Sequence, residues 1–466
     1  MSADLERRAA LVFGAGISGL AAARLLLSRG IHTTLTARVE TAGVNALVEA
    51  GVKWKAGDPV EVARHFFLQK PLNAFAVASP GIPRDAPELI RCTQAGFPVF
   101  GELELGAMFL SSRIIAVTGS KGKSSVVKLI ADALSQTGVE VLPCGNYGLA
   151  LSEVATFPKQ PAVVVVECSS FQLEQLGSAF KPVSAVVLNV SPDHLDRHGT
   201  MEAYLDVKLN IFRNMDVGAQ LLPSPGDDFY GLNTRYQARY QRMSVTFGCH
   251  PKDRWRYFSG IVTDAETGFA VDISGSYFDN VILGPAAAAA CCLLSAEGLS
   301  AEQISSAFHR FVPLAHRMQV VAKSGGVTFI DDSKATSMAA LLAGVRMAPK
   351  PVFLIAGGRL KEKISLTGKE VVTNGVKKAY LIGECMQEMA SAWSNELPIE
   401  LCQTLEVAVS RAFQEAVPGG SVLLSPGTAS FDQFKNYEMR GDCFAEHTKN
   451  LIDQAENRYK KSKMEQ

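Results

Sequence analysis

The sequence predicts an α/β protein of three domains, the outer two Rossmann-like and the central one a P-loop ATPase-like mixed sheet. Three observations lead there. Short apolar runs bounded by turn residues recur at 75–78, 114–117, 163–166, 185–190, 352–355, 379–382 and 422–424, with helical patterns between most of them, which is the mark of largely parallel sheets. Two strand-to-helix turns are glycine-rich, G-A-G-I-S-G at 14–19 and G-S-K-G-K-S-S at 119–125. A chain of 466 residues with 47% hydrophobic content also exceeds what a single core organises.

Residues 10–13 read as a buried strand, followed by the first glycine turn, an apolar helix to Ser28 and Gly30 as its stop, the beginning of a βαβ unit. Such a turn sets a helix N-terminus against a phosphate. Where a ribose-binding acid would end the second strand the chain reads T-T-L-T-A-R at 33–38, so a nicotinamide cofactor is not expected. Another nucleotide's phosphate, or a turn that only packs helix on strand, both stay open. The stretches 101–112 and 311–313 divide the chain into domains 1–107, 108–313 and 314–466. Residues 216–282 are mixed, with strand-like pieces such as 244–247, and the alanine run 286–290 sits in a helix.

The second turn carries more chemistry. A strand running into Gly119, Ser120, Lys121, Gly122, Lys123 and Ser124, then a helix, aims backbone N–H groups and the positive helix end at one anion. Lys123 can bridge β- and γ-phosphates, and Ser124 or Ser125 can reach Mg²⁺. Val126, Val127, Ile130, Ala133 and Leu134 give the helix one apolar face, and Gly138 stops it. The spacing departs from G-x-x-x-x-G-K-[ST], because Val117 stands at the first glycine position, and an unliganded turn is the alternative. Glu167 ends the valine strand, where a metal ligand would sit. Asp193, His194 and Asp196 follow the next strand, and Lys208 lies on a later helical segment.

In the last third, His316-Arg317, Asp331-Asp332-Ser333-Lys334-Ala335-Thr336 and Gly357-Gly358-Arg359-Leu360-Lys361 set cations and hydroxyls beside strands. Each alone also reads as a surface turn. In L-S-P-G-T-A-S-F-D-Q-F, Ser430 is expected to cap a helix starting at Phe431, its N–H groups facing a carboxylate.

Composition narrows the class. The 46 basic and 46 acidic residues cancel, so no overall field draws the chain to nucleic acid or an anionic membrane, and small-molecule substrates are expected. Nine cysteines with no C-x-x-C pair suit buried thiols in a reducing cytoplasm. The N-terminus M-S-A-D-L-E-R-R carries acids where a signal peptide is basic, and no apolar run approaches the ~18 residues that cross a bilayer. A cytoplasmic protein, monomeric by default, is the expectation.

Taken in order, T-G-S-K-G-K-S-S, E-C-S-S-F-Q-L-E, N-V-S-P-D-H-L-D-R, L-A-H-R, I-D-D-S-K-A-T and L-S-P-G-T-A-S-F-D-Q-F-K-N-Y-E-M-R-G resemble the Mur ligases, from about Leu11 to the C-terminal helix. The E-x-S-S-F-Q-L-E and S-x-D-Q-F-K-N pair is similar to the members that add D-glutamate to UDP-N-acetylmuramoyl-L-alanine in peptidoglycan precursor synthesis. The resemblance implies ATP as phosphoryl donor, an acyl phosphate, and two Mg²⁺ ions. By it, Lys123 with Ser124 or Ser125 holds the phosphates and a first Mg²⁺, with Glu167 as further ligand; His194 is similar to the ligand of a second Mg²⁺. Lys208 matches the family's carbamylated lysine. Arg317 and Asp332 resemble nucleotide contacts and Lys334 a phosphate contact. Thr336, Lys361, Ser430, Phe431 and Tyr437 fall where the family binds D-glutamate. Asn146, Ser169 and the Ser79-Pro80-Gly81 turn look like contacts to the UDP-sugar, its uridine lying over Gly16, Ile17, Ser18 and Arg38. Domain closure is implied as a partner of this chemistry.

Three departures stand out. The family's Asp-Thr-Arg at the uracil is Thr36-Ala37-Arg38, its His-Asn before the alanine-rich helix is missing at Leu283-Gly284-Pro285, and Lys121 replaces asparagine in the phosphate loop. Rival readings are a folylpolyglutamate synthase-like ligase, a non-catalytic UDP-sugar sensor and, weakest, an NAD-dependent dehydrogenase.

Overall fold

The computed structural model describes residues 8–69, 73–215, 218–223, 232–361 and 363–464. The N-terminal acids at 4 and 6 and parts of the mixed 216–282 stretch lie outside the described residues. The described residues form three sheets. The first has strand order Lys53–Ala56, His32–Ala37, Ala9–Phe13, Phe75–Ala78, Val99–Gly101 and is parallel throughout. Its central strand is apolar on both sides because both faces are covered: Ala10 and Val12 pack with Leu25 and Leu26 of the helix Ile17–Ser28, Leu11 and Phe13 with Ala63, Phe67 and Leu89. The glycine turn is sterically required here. A Cβ on Gly19 would stand 1.7 Å from the Gly14 carbonyl oxygen, and Gly14 itself takes φ +96°.

The second sheet has nine strands, ordered Ala270–Asp272, Ile261–Asp264, Trp255–Phe258, Val245–Gly248, Gln220–Pro223, Ser184–Val187, Arg113–Thr118, Val163–Glu167, Val141–Gly145. Pairing is parallel from Val141–Gly145 to Trp255–Phe258, and the last two pairs are antiparallel. The run expected as strand to residue 190 leaves the sheet at Val187, since Asn189 turns to hold the phosphate loop. The alanine run forms the helix Gly284–Ala296, whose small side chains let it lie against the helix Lys123–Ser135.

The third sheet is ordered Gln319–Ser324, Val327–Asp331, Ser421–Leu424, Val352–Gly357, Val376–Ile382, Ile399–Gln403, with only the first pair antiparallel. The strand foreseen near Val327 is thus the second arm of a hairpin. Its turn is Gly325-Gly326, both at positive φ as a two-residue hairpin requires. The chain forms two compact units, residues to Phe311 with the first two sheets and residues from Val312 with the third.

The helix expected at Phe431 does not form there. Residues 431–436 are turns, and the last helix runs Tyr437–Met464. Asp432 accepts the Glu384 N–H (3.0 Å) and Gln433 donates to the Gln403 carbonyl (2.6 Å), so tertiary bonds hold the segment to the sheet loops. Asn436 is the cap instead, its Oδ1 accepting the Met439 N–H at 2.8 Å. Among the described residues no helix is long and apolar enough to cross a membrane.

Candidate active site

The phosphate turn is shaped from below. Gly119 takes φ +153°, and a Cβ there would meet Leu188 Cβ at 3.1 Å; Gly122 is left-handed at φ +81° and opens the helix Lys123–Ser135. Asn189 clamps the turn in both senses, accepting the Lys121 N–H (2.8 Å) and donating to the Lys121 carbonyl (2.9 Å). Ser120 Oγ donates to the Ser191 carbonyl (3.1 Å), accepts the Ser191 N–H (3.0 Å) and meets Tyr204 OH at 3.1 Å. With its outline fixed by neighbours, the turn is preorganised for an anion.

Two lysines converge on it. Lys123 Nζ folds back to donate to the carbonyls of Gly119 (2.8 Å) and Ser120 (3.0 Å). Lys208, from the helix Met201–Leu209, donates to the same Gly119 carbonyl at 3.0 Å and lies 4.4 Å from the Tyr204 ring centroid. Lys208 is only 1% exposed. Burial first, then the neighbouring Lys123 charge, pull its proton affinity well below the ordinary lysine range.

Glu167 is brought in by register. Its strand pairs with the one that feeds the turn so that Glu167 lies opposite Val117, two residues before Gly119. The carboxylate is buried; Oε1 accepts the Asn146 amide at 2.6 Å, and Oε2 has no hydrogen-bond partner among the described residues. A buried carboxylate oxygen without a donor is costly unless a cation meets it. Ser124 and Ser125, both buried at the helix start, supply hydroxyls of the kind that ligate Mg²⁺ beside phosphate. This donor set fits a hard cation that completes its shell with water and phosphate oxygens. Among the described residues no group of three or more His, Cys, Asp or Glu could hold a metal by itself.

His194 takes φ +52° and begins the short helix Leu195–His198. It is half-exposed, its ring centroid 4.8 Å from that of Phe171, with Asp193 at 3.7 Å. Behind it, His198 is held between Phe171 and Tyr204, with Ser170 Oγ at 3.0 Å, and burial lowers its pKa. Ser169 caps the helix Ser170–Leu173 in a reciprocal capping box with Gln172.

In the first sheet, the Ser79-Pro80-Gly81 turn abuts the glycine turn, Ser79 N–H donating to the Phe13 carbonyl at 3.0 Å. Gly16, Ile17 and Ser18 open the first helix, Ile17 82% exposed. Thr36 is buried and its hydroxyl donates to the Lys55 carbonyl, so it turns inward while Arg38 follows the strand end.

In the second unit, Lys334 Nζ stands 3.7 Å from the Tyr437 ring centroid. Asp332 accepts the Met318 N–H (3.2 Å) next to Arg317 and the Ser425 hydroxyl (2.9 Å); burial raises its pKa to about 7. His316 pairs with Asp331 at 2.7 Å. Ser430 is buried at the start of its turn, Phe431 is exposed, Thr336 half-buried, and Lys361 lies exposed on the loop after Gly357-Gly358. Two groups escaped sequence reading: Arg440, buried beneath these loops, and the Arg197–Glu174 pair of the first unit. Both lie inside quoted motifs, but nothing in their spacing shows the contacts.

Fold and turn define an α/β protein with a strand–phosphate loop–helix site, backed by a buried carboxylate and a buried lysine. Residues 117–281 match the Mur ligase middle domain and 316–427 the Mur ligase glutamate ligase domain. The chain is 34% identical over 458 residues to a UDP-N-acetylmuramoylalanine--D-glutamate ligase of Acidobacterium capsulatum, covering 95% of this chain and 96% of that one, and 32% identical to the enzyme of that name in Koribacter versatilis, covering 97% and 99%. It belongs to the Mur ligase family. The crystal structure of MurF ligase from Thermotoga maritima in complex with ADP superimposes with a TM-score of 0.59 at 16% identity, over 98% of this chain and all of that one, and shows the shared fold.

Proposed function

We propose that this protein is an ADP-forming ligase that joins D-glutamate to UDP-N-acetylmuramoyl-L-alanine, with Mg²⁺ and a carbamylated Lys208. The observation that carries the reading is the convergence on one phosphate turn of Lys123, neutral-leaning Lys208 and the orphaned Oε2 of Glu167. A carboxylate is a poor acyl donor. Transfer of the γ-phosphoryl of ATP to its oxygen makes phosphate the leaving group; the amine of D-glutamate then attacks the carbonyl carbon, loses a proton, and the C–O bond to phosphate breaks.

The chain's own groups fit these tasks. Lys123 and the N–H groups of Gly119 to Ser124 hold phosphate oxygens and spread developing charge. Glu167, Ser124 and His194 would hold the cations, with Asn146 orienting Glu167 through its other oxygen. Bound Mg²⁺ supplies charge neutralisation at the transferring phosphoryl and acyl oxygens. A lysine reacts with CO₂ only when neutral; burial keeps Lys208 closer to that form, and the carbamate it becomes replaces a cation with two acceptor oxygens beside Lys123. Within the first sheet Gly16, Ile17, Ser18, Arg38 and the Ser79-Pro80-Gly81 turn are assigned to the UDP-sugar; within the second unit Thr336, Lys361, Ser430, Phe431 and Tyr437 to D-glutamate.

The test is phosphate release from ATP with both substrates, with each omitted, and with L-glutamate in place of the D-isomer. Release that needs both substrates and the D-isomer is the expected result. Release without the amino acid, or silence in every sample, would overturn the assignment.

A further inference from the structure

The short helix after His194 carries a side chain that the phosphoryl-transfer chemistry does not use. Arg197 forms a two-pronged pair with Glu174, Nε donating to Oε1 at 3.2 Å and Nη2 to Oε2 at 2.6 Å, with its guanidinium 4.9 Å over the Phe171 ring. It then reaches out of the central sheet's domain: Nη2 also donates to the Ile82 carbonyl at 3.2 Å, and Nη1 points at the Gly81 carbonyl at 3.5 Å. Gln175, one residue after Glu174, donates to the same Ile82 carbonyl at 3.1 Å. Both members of the ion pair are largely shielded, 14% and 10% exposed, which separates them from the solvated surface pairs that contribute little.

The carbonyls they capture belong to the Ser79–Ile82 turn, closed on itself by the Ile82 N–H to the Ser79 carbonyl (3.0 Å). Three elements that must agree in position are therefore tied by one fork: the segment carrying His194, the helix after Glu167, and the turn of the N-terminal sheet. Lysine could not replace it, because a single ammonium cannot serve a carboxylate edge and two carbonyls in one plane.

We propose that Arg197, seated by Glu174, is a positioning residue that sets the Ser79–Ile82 turn for the UDP-linked substrate. The inference rests on the assignment of that turn to the UDP-sugar under the proposed function. It does not involve ATP or D-glutamate binding.

Two measurements on Arg197→Ala, Arg197→Lys and Glu174→Gln decide it. In steady-state kinetics the KM for UDP-N-acetylmuramoyl-L-alanine is expected to rise about tenfold or more in both arginine variants and less in Glu174→Gln, with KM for ATP and for D-glutamate within about twofold of wild type; tenfold corresponds to ~1.4 kcal/mol. In the ligand-free enzyme, hydrogen–deuterium exchange of a peptide spanning the turn is expected to quicken in Arg197→Ala while peptides of the phosphate loop keep their rate. Unchanged exchange at the turn overturns the proposal whatever the enzyme's activity, so a failure of the ligase assignment stays distinguishable. A fall in kcat with all three KM values unmoved also overturns it, as does full recovery by lysine.

Discussion

Arg440 offers a perturbation whose size follows from its contacts. It is 1% exposed in the second unit; burial draws its pKa down to about 10, so it keeps its charge at neutral pH. Nε donates to Ser333 Oγ (2.9 Å), and Nη2 to the carbonyls of Ser333 (2.9 Å) and Thr428 (3.2 Å). Ser333 lies three residues before Thr336 and Thr428 two before Ser430, so one side chain ties together two loops that carry residues proposed for D-glutamate. Arg440→Met strips donors from three acceptors on residues with no solvent exposure. Leaving a buried acceptor without its donor costs about 1–3 kcal/mol, so three such acceptors, offset in part by removal of a buried charge, cost about 3–5 kcal/mol together. For a unit of about 150 residues that lowers Tm by about 6–20 °C. Arg440→Lys, which keeps charge but loses the fork, should fall between. Calorimetry reads the shift in Tm, and initial rates at varied D-glutamate report the loops: KM for D-glutamate should rise in the lysine variant. A methionine variant melting within about 2 °C of wild type would refute the reasoning.

Lys123→Ala should abolish ATP turnover, since it removes the ammonium that lies against the Gly119 and Ser120 carbonyls of the phosphate turn; near wild-type phosphate release would remove the central claim. Lys208→Ala should lose nearly all activity and recover part of it with acetate or formate, which replace the oxygens of a carbamate; an unrescued variant would leave the lysine necessary without supporting its carbamylation. Asp332 has its pKa raised by burial to about 7, so the folded state holds a proton that the unfolded state releases from about pH 4 upward. The stability it carries is present below the ordinary aspartate range and is lost as pH rises toward about 7, on the order of 4 kcal/mol. Asp332→Asn should flatten the pH dependence of the second-unit Tm between about pH 4 and 7, and an unaltered slope would count against the assignment.

What could be read from the chain follows from how local each signal is. The phosphate turn was legible because strand, glycines and an amphipathic helix are contiguous, and Val117, in place of the usual first glycine, left the geometry intact: the left-handed positions fall at Gly119 and Gly122. The helix at Phe431 was misread because Ser430 has the chemistry of a cap, while what prevents the helix is the pull of Glu384 and Gln403, distant in sequence. The edge strand Gln319–Ser324 was missed because its apolar run, Val320-Val321-Ala322, is only three residues long and is flanked by polar residues. Arg197 and Glu174 were both in quoted motifs, yet a pair 23 residues apart becomes visible only when two elements meet.

The same distinction bears on why the site is costly to build. Burial alone would favour an apolar side chain in place of Lys208 and a hydrogen-bond donor beside Glu167 Oε2. Neither is found: an amine is buried beside a second amine, and a carboxylate oxygen is buried with no donor among the described residues. Each is unfavourable alone, and each becomes favourable when charge of the opposite sign arrives with substrate, carbamate or cation. Two such unfavourable groups beside one turn are not what packing alone would select, and they support the proposal that the turn binds and activates a substrate rather than only joining strand to helix.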